Sequence, residues 1–332
     1  MTTQRGPLPH GLVRIVIAAL VIVFAVAFFT QTSTASFVEE TRMAINRIGL
    51  PTLMAVLALS LVNYLARFAR WAIYIGEPPQ RLSLLRHLGI YLAGFALTAT
   101  PTKAGEAVRS AYLRPLGVSY QRSIAALLGE RLFDIAVISA LAALILWQDS
   151  SPVRWIGLVG LGLVTLIVLL QHPAVLAVIE RLTRRLPAER LRRFGAQMLS
   201  LQHEVRGLMR PSLLVPSLGL GLVAWAAEGI GLYLILQRLG IDAGLLPAIG
   251  IYATAMLAGA LSFLPGGLGS TELVMVTLLA TTGAAGPATV AATACIRLAT
   301  LWFAMALGAC AWLAIEGLYG ATAFRLGRGR SQ

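Results

Sequence analysis

Two short motifs containing proline and glycine interrupt long apolar runs of this chain, and each ends in a carboxylate. The first is the segment 101–106 with sequence PTKAGE, and the second is 265–272 with sequence PGGLGSTE. Proline removes a backbone donor from a helix and glycine tolerates unusual backbone angles, so both interrupt helical segments. Apolar segments broken at corresponding places in two halves of a chain are typical of substrate sites in membrane transporters.

The composition predicts that these breaks lie inside a membrane protein. Hydrophobic residues make up 58% of the 332 residues and charged residues only 12%, whereas soluble domains contain about 25% charged residues. The formal net charge of +13 would favour nucleic-acid binding in a soluble chain. Here the arginines flank apolar spans, which indicates membrane topology and contact with anionic lipid, and no nucleic-acid partner is expected.

The hydropathy pattern predicts an all-α polytopic membrane protein with an inverted-topology repeat. A helix that crosses a bilayer needs about 20 apolar residues, and segments of this length recur along the chain. The predicted full spans are 11–30, 49–74, 123–147, 153–171, 211–238 and 288–316. These six spans are joined by two shorter apolar segments that run into the motifs.

Each motif is predicted to form a re-entrant helical hairpin. The first hairpin comprises 85–100 and 104–114, and the second comprises 246–264 and 270–282. Broken backbone is tolerated at membrane depth only where it is buried in protein or lines a hydrated cavity. A kinked full span is the alternative interpretation of each hairpin.

The arginine distribution predicts a multi-pass protein of the inner (cytoplasmic) cell membrane with both termini in the cytoplasm. Cytoplasmic loops carry an excess of Lys and Arg, and with six spans and two hairpins most basic residues fall on the side of Arg5 and Arg14. The segment 175–210 is interpreted as a basic amphipathic connector on the inner leaflet. A specific lipid-headgroup or partner site in this connector is the alternative.

A weak internal repeat divides the single transmembrane domain, 1–332, into halves of about 49–147 and 211–316. Superposition of the two motifs also aligns several charged residues of the apolar segments. The aligned pairs are Glu106 with Glu272, Arg131 with Arg297 and, after small gaps, Arg67 with Glu228. Because three full spans separate the motifs, the second hairpin enters from the opposite side of the membrane. This arrangement predicts alternating access to a site at mid-depth.

Charged residues within apolar segments are the candidate site residues. A charge at the centre of a membrane helix costs at least about 2.5–3.5 kcal/mol, so these groups are expected to be paired or hydrated. The candidates for binding an anionic group are Lys103, Arg131, Arg297, Arg67, Gly105, Gly266, Gly267 and Gly269. The candidates for proton coupling or charge balance are Glu106, Glu130, Asp134, Glu228 and Glu272.

The chemistry of these residues favours a phosphate-bearing ligand. The planar guanidinium group of arginine binds phosphate through two hydrogen bonds. Helices that begin after Gly105 and Gly269 would direct backbone N–H groups at the same anion. The predicted cavity therefore combines arginines with two helix N-termini.

Purely structural roles are the alternative for these charges. Under that interpretation the pairs Arg131 with Asp134 and Arg67 with Glu228 would be ion pairs that only hold helices together. Arg70 is interpreted as an anchor at the inner membrane interface, as is its neighbour Trp71. The sequence contains no recognisable catalytic, metal-binding or cofactor-binding constellation.

The chain resembles the lysylphosphatidylglycerol synthase transmembrane family, also called the flippase-like or UPF0104 family. The resemblance rests on 101–109, on the segment 130–134 with sequence ERLFD, and on 264–269 followed by Glu272, and it covers nearly the whole chain. It implies an inverted-repeat membrane module with two re-entrant hairpins. The best-understood members are flippase domains of multiple peptide resistance factors, which move aminoacylated phosphatidylglycerol between leaflets. Other relatives are linked to hopanoid, archaeal glycolipid or polyprenyl-phosphate pathways.

Bifunctional members of that family continue into a large soluble aminoacyltransferase domain. The present sequence ends at Gln332, a few residues after its last predicted span. We therefore expect that this chain does not make lysylphosphatidylglycerol itself.

The expected function is a lipid flippase that is not an enzyme and uses no cofactor. It would move the anionic headgroup of a phospholipid, aminoacyl-lipid, glycolipid or polyprenyl-phosphate across the cytoplasmic membrane through a polar cavity. The expected partners are this lipid substrate and anionic lipids of the inner leaflet. A homodimer is a further possible assembly. Two alternatives are a membrane-embedded enzyme or enzyme subunit of polyprenyl or glycolipid synthesis, and a scaffold of a lipid-synthesis complex.

Overall fold

The computed structural model of the protein is helical, with no strand in the part of the chain that it describes. The described residues are 35–78, 82–100, 106–145, 172–184, 189–284 and 286–328, together with Gly162 and Thr165. The predicted span 11–30, nearly all of 153–171 and the first motif up to Gly105 lie outside these residues.

The first group of helices lies before and after the first motif along the chain. Its members are α1 (Ala35–Ile75), α2 (Leu84–Ala93), α3 (Val108–Leu113) and α4 (Tyr120–Ala142). A 3₁₀ turn, Gly94–Leu97, extends α2. Helix α1 has a kink at Gly49, whose φ of 72° suits glycine, and the predicted span 49–74 begins at this kink.

Two helices connect the halves of the chain. They are α5 (Pro173–Arg184) and α6 (Glu189–Gly207). Helix α6 packs against α4, and Val205 near its end is buried. The segment predicted to be a basic amphipathic connector is therefore helical over 175–184 and 189–207.

The second group of helices follows the same order as the first. Its members are α7 (Pro211–Arg238), α8 (Leu245–Leu261), α9 (Ser270–Ala280), α10 (Gly286–Arg297) and α11 (Phe303–Arg328). The PGG segment forms a 3₁₀ turn between α8 and α9. A π-helical turn, Leu298–Trp302, joins α10 to α11. Each group thus contains a long helix, two short helices around a motif, and a further long helical stretch.

Three described helical stretches are long and apolar enough to cross a membrane. They are Arg42–Ile75, Pro211–Arg238 and Gly286–Gly317, and they coincide with three of the six predicted spans. Helix α4 is long enough, but it carries Glu130, Arg131 and Asp134 in its central part. The short apolar helices Leu84–Leu97 and Leu245–Leu261 lie where the hairpins are predicted to begin. These features are consistent with an all-α membrane protein.

The two groups of helices pack against each other reciprocally. Helices α1 and α7 lie side by side, and Asn63 Nδ2 donates a hydrogen bond to Ala224 O across them at 2.9 Å. Helix α2 packs against α11, and α8 packs against α4. Each short helix before a motif therefore contacts the long helical stretch that ends the other group.

The contact between α2 and α11 includes a very close approach at Gly308. A Cβ atom at this position would lie 2.3 Å from Ala96 N and 2.7 Å from Phe95 C. Small residues at helix interfaces of membrane proteins permit such approaches. Glycine is therefore required here by packing against backbone atoms.

We expect Gly308→Ala to destabilise the protein by roughly 2–3 kcal/mol, because overlap with backbone atoms forces the two helices apart. The matched control is Gly219→Ala on the exposed face of α7, where no atom lies within 4 Å of the added Cβ. This control should leave the stability unchanged or raise it by up to about 1 kcal/mol through helix propensity. The midpoint of thermal unfolding in detergent checks both, and equal shifts for the two variants would contradict the close approach.

Candidate functional site

A small cavity with several charged lining residues lies where the two groups of helices meet. The space open to the centres of water molecules is about 40 Å³, which is enough for a few waters because one needs about 10–15 Å³. Arg67 of α1, Glu228 of α7 and Arg297 of α10 line it together with aromatic side chains from α1, α2, α7 and α8. The cavity therefore brings charges from both halves of the chain into one apolar surrounding.

Several lining residues occupy corresponding positions in the two groups. The spacing is 161 residues, which is also the separation of the hydrogen-bonded Asn63 and Ala224. The pairs are Arg67 with Glu228, Tyr64 with Trp225 and Phe95 with Met256. Equivalent positions of α1 and α7 thus face the same cavity.

Asp134 of α4 is the centre of an ion-pair network beside the cavity. Its carboxylate accepts from Arg70 Nη2 at 2.5 Å and from Trp225 Nε1 at 3.1 Å. Arg67 Nη2 lies 3.5 Å and Arg131 Nη1 lies 3.7 Å from Asp134 Oδ2. Arg131 and Asp134, which the purely structural alternative pairs, are therefore within ion-pair distance, and Asp134 also links the network to Arg67.

Glu130, one turn earlier on α4, extends the network towards α2 and α3. Its carboxylate accepts from Tyr91 Oη at 2.9 Å and from Arg109 Nη1 at 3.1 Å. Arg109 is fully buried, and its guanidinium lies 4.0 Å from the centre of the Tyr91 ring. A carboxylate with both an arginine and a phenol as donors is satisfied without water, which permits its complete burial.

A Glu–Arg pair with a spacing of 25 residues occurs in each half. Arg131 Nη2 donates to Glu106 Oε2 in the first half, and Arg297 Nε donates to Glu272 Oε1 at 2.5 Å in the second. In both halves the glutamate is the last residue of the motif, and the arginine lies on the next long helical stretch. The two aligned pairs inferred from the sequence therefore make equivalent contacts.

The glycines of the second motif shape the backbone around Arg297. Gly266, Gly267 and Gly269 have φ angles of 61°, 66° and 86°, which L-residues with side chains adopt rarely. Gly266 O accepts from Arg297 Nη2 at 2.9 Å. The Gly269 N–H donates to Glu272 Oε2 at 2.6 Å, so this glutamate caps α9 from within the chain.

The structure places the predicted site residues in three groups. Arg67, Arg297, Glu228 and Gly266 line the cavity. The residues beside it, in ion pairs or in the second motif, are Arg131, Glu106, Glu130, Asp134, Glu272, Gly267 and Gly269. Lys103 and Gly105 lie outside the described residues. Arg67 and Glu228, which the alternative interpretation pairs with each other, face the same cavity.

The interpretation of Arg70 and Trp71 as interfacial anchors is wrong. Arg70 is 0% exposed and Trp71 is 1% exposed, and Arg70 contacts Asp134. The sequence did indicate that Arg70 could lie in the same charged network as Arg67, because the two arginines are three residues apart and therefore share one helix face.

Aromatic residues of the cavity were also missed by the sequence analysis. Tyr252 Oη donates to Glu228 Oε2 at 2.6 Å, and Tyr64 Oη donates to Thr300 O at 2.6 Å within the π-helical turn. Trp225 contacts Asp134. The alignment of Arg67 with Glu228 could have identified two of these residues, because Tyr64 and Trp225 lie three residues before the aligned charges.

Arg67 has hydrogen-bonding capacity that the described residues do not use. Its side chain is buried, with the guanidinium 5.6 Å from the Phe95 ring centre and 5.8 Å from the Trp225 ring centre. Its Nε and Nη2 atoms have no hydrogen-bond acceptor among the described residues. An unsatisfied buried donor costs about 1–3 kcal/mol, so an acceptor in the cavity would stabilise this side chain. In the described ranges no group of three His, Cys, Asp or Glu residues could hold a metal ion.

Comparison with known proteins identifies relatives along most of the chain. Residues 11–308 match the family model described as the lysylphosphatidylglycerol synthase TM region. A UPF0104 membrane protein of Methanothermobacter thermautotrophicus is 30% identical over 278 residues, which cover 76% of this chain and 81% of the relative. A second UPF0104 membrane protein of the same organism is 28% identical over 253 residues, which cover 68% and 74% of the two chains.

We expect Arg297 and Glu272 to be energetically coupled. Removing either partner leaves a charge in an apolar surrounding and should cost about 3–5 kcal/mol, whereas the double variant loses both charges together. The test is a double-mutant cycle of Arg297→Gln and Glu272→Gln, followed by unfolding in mixed micelles. The double variant should be less destabilised than the sum of the single variants by roughly 1–3 kcal/mol. Additive effects would contradict the ion pair.

Proposed function

The chain belongs to the lysylphosphatidylglycerol synthase transmembrane family, and we propose that it is a flippase that moves an anionic lipid headgroup across the cytoplasmic membrane. Family membership supports a lipid-related function in a membrane. The observation that carries the proposal is the cavity between the halves, where Arg67 and Arg297 face the same space. The step that we propose is transport and not covalent chemistry.

We propose that the protein is a multi-pass protein of the inner membrane with six full spans, two re-entrant hairpins and both termini in the cytoplasm. The repeat halves would be 49–147 and 211–316. Two observations support an inverted repeat: the helix order is the same in both groups, and the short helices pack reciprocally on the other group. The equivalent Glu–Arg pairs support the same assignment.

The headgroup phosphate would bind between the two cavity arginines. Arg67 Nε and Nη2 donate no hydrogen bond among the described residues, although Nη2 makes an ion-pair contact with Asp134, and the two groups suit two phosphate oxygens. Lys103 and Gly105, which belong to the first motif, remain predicted binding residues for the anionic headgroup. Arg131 would act indirectly, because it binds Glu106 and Asp134 beside the cavity.

The cavity must widen before it can admit a headgroup. Its 40 Å³ of water-accessible space is too small for a phosphate diester. Separation of the halves on one side of the membrane would open a path for the headgroup while the acyl chains stay in the bilayer. Alternation between the two sides is the mechanism that inverted repeats provide.

We expect purified protein in liposomes to move a fluorescent phosphatidylglycerol between leaflets, measured by chemical quenching of the outer-leaflet label. Arg67→Gln and Arg297→Gln should each slow the movement roughly ten- to hundredfold, because a charge-assisted hydrogen bond contributes about 1.5–3 kcal/mol. Arg42→Gln is the matched control, since this arginine is 72% exposed and lies on the same helix as Arg67. It should behave like the wild type.

Mass spectrometry of the lipids from the same liposomes tests the other functions. Conversion of the labelled lipid without translocation would show a membrane-embedded enzyme. A scaffold would neither convert nor translocate the labelled lipid. In that case Arg131→Ala and Glu272→Gln would leave the function of the protein in cells intact. Either result would contradict the flippase proposal.

A further inference from the structure

We propose that Glu228 binds the proton that accompanies the anionic headgroup through the membrane. This inference rests on the proposed function and adds an energy source to it, namely proton symport. It follows from where this carboxylate lies, from the charges around it and from the charge that the headgroup would add.

Glu228 lies where a bound anion would be. Its side chain is 5% exposed and lines the same cavity as Arg67 and Arg297. An anion held by these two arginines therefore approaches a carboxylate in an apolar surrounding, where like charges repel strongly. A proton on Glu228 removes this repulsion.

The groups around Glu228 come from every helix packed on this part of α7. Helix α1 contributes Tyr64 and Arg67, α8 contributes Tyr252, and α10 contributes Arg297. Helix α4 contributes Asp134, which contacts α7 through Trp225. The surroundings thus hold cations, phenols and one further carboxylate.

The charges of the cavity and its network balance among the described residues. The arginines are Arg67, Arg70, Arg109, Arg131 and Arg297, and the carboxylates are Glu106, Glu130, Asp134, Glu228 and Glu272. Five positive charges therefore face five negative charges, with Lys103 outside this count. A phosphate diester adds one negative charge, and one proton restores neutrality, which a low-dielectric surrounding favours.

Glu228 is the carboxylate placed to take this proton. It is the one of the five that lines the cavity. Glu106, Glu130, Asp134 and Glu272 lie beside the cavity in ion pairs, two of them with the lining residues Arg67 and Arg297. Tyr252 Oη donates to Glu228 at 2.6 Å. A protonated Glu228 can donate to the same phenol oxygen, because a tyrosine hydroxyl both donates and accepts. The hydrogen bond between Tyr252 and Glu228 can therefore form whether Glu228 is ionised or protonated.

The proposed step is balanced in charge and protons. Glu228 takes one proton from the side on which the anionic headgroup enters, both cross when the halves reorient, and both leave on the other side. Because coupling between two ligands is reciprocal, the anion and the proton each favour binding of the other. A pH gradient should therefore drive the labelled lipid in the direction in which protons move.

The test measures fluorescent phosphatidylglycerol in liposomes with and without a pH gradient. For the wild type, the initial rate should rise at least about fivefold when protons and lipid move in the same direction, which corresponds to a coupling of about 1 kcal/mol. For Glu228→Gln the ratio of the two rates should fall to about one, whatever the absolute rate. Glu228→Asp keeps a titratable group and should keep a ratio above one.

Glu316→Gln is the matched control. Glu316 accepts a hydrogen bond from Tyr112, outside the cavity lining, and this variant should keep the wild-type ratio. Proton uptake by wild-type protein on addition of phosphatidylglycerol, followed with a pH-sensitive dye, provides a measurement that needs no variant. Uptake of about one proton per bound lipid is expected.

Three results would overturn the proton site. The first is a wild-type translocation rate that does not change with the pH gradient, and the second is a gradient response that persists in Glu228→Gln. The third is lipid binding without proton uptake. Each of these results would leave the flippase proposal intact. Absence of wild-type translocation under every gradient would instead overturn the proposed function.

Discussion

The need to neutralise buried arginines determines how these helices are arranged. Arg70, Arg109 and Arg297 are almost completely buried among mostly apolar side chains. Isolated charges are not tolerated in such surroundings, so each arginine must meet a carboxylate from another part of the chain. Asp134 therefore contacts α1 and α7 as well as its own helix. The network fixes the position of α4 against α1, and this in turn places Arg67 at the cavity.

The halves use the same Glu–Arg pair but differ in the charges around it. In the first half the pair of Glu106 with Arg131 is joined by Arg109 and Asp134 into a larger network. In the second half Glu272 and Arg297 contact backbone groups of the glycine motif instead. The motif binds Arg297 through the Gly266 carbonyl and Glu272 through the Gly269 N–H. Its backbone does so with positive φ angles at Gly266, Gly267 and Gly269, which favour glycine at these positions. The second half therefore substitutes backbone geometry for additional charged side chains.

The sequence predicted the helical class and three of the spans, because hydropathy leaves a local pattern in each helix. It also aligned Glu106 with Glu272 and Arg131 with Arg297, but it did not predict that each glutamate contacts the arginine of its own half. It did not predict that Arg70 is buried, because Arg70 is followed by Trp71 and lies near the end of a span, which is also the pattern of an interfacial anchor. It also missed Tyr64, Trp225 and Tyr252. Their roles depend on which helices meet at the cavity, and this pairing between distant helices is not encoded in the local pattern of any one helix.

The contact between α1 and α7 explains why the cavity lies at the junction of the halves. Asn63 and Ala224, which are 161 residues apart like the aligned lining residues, touch each other. In the inverted repeat that we propose, halves related by a two-fold rotation would meet at equivalent positions only near the rotation axis. Arg67 and Glu228 lie one turn further along these same helices, so in that repeat they would also flank the axis. Residues near an axis move little when the two halves exchange conformations. Arg67 and Glu228 would therefore keep a positive and a negative charge on opposite sides of the proposed site throughout such an exchange. A site that binds an anion together with a proton requires both groups.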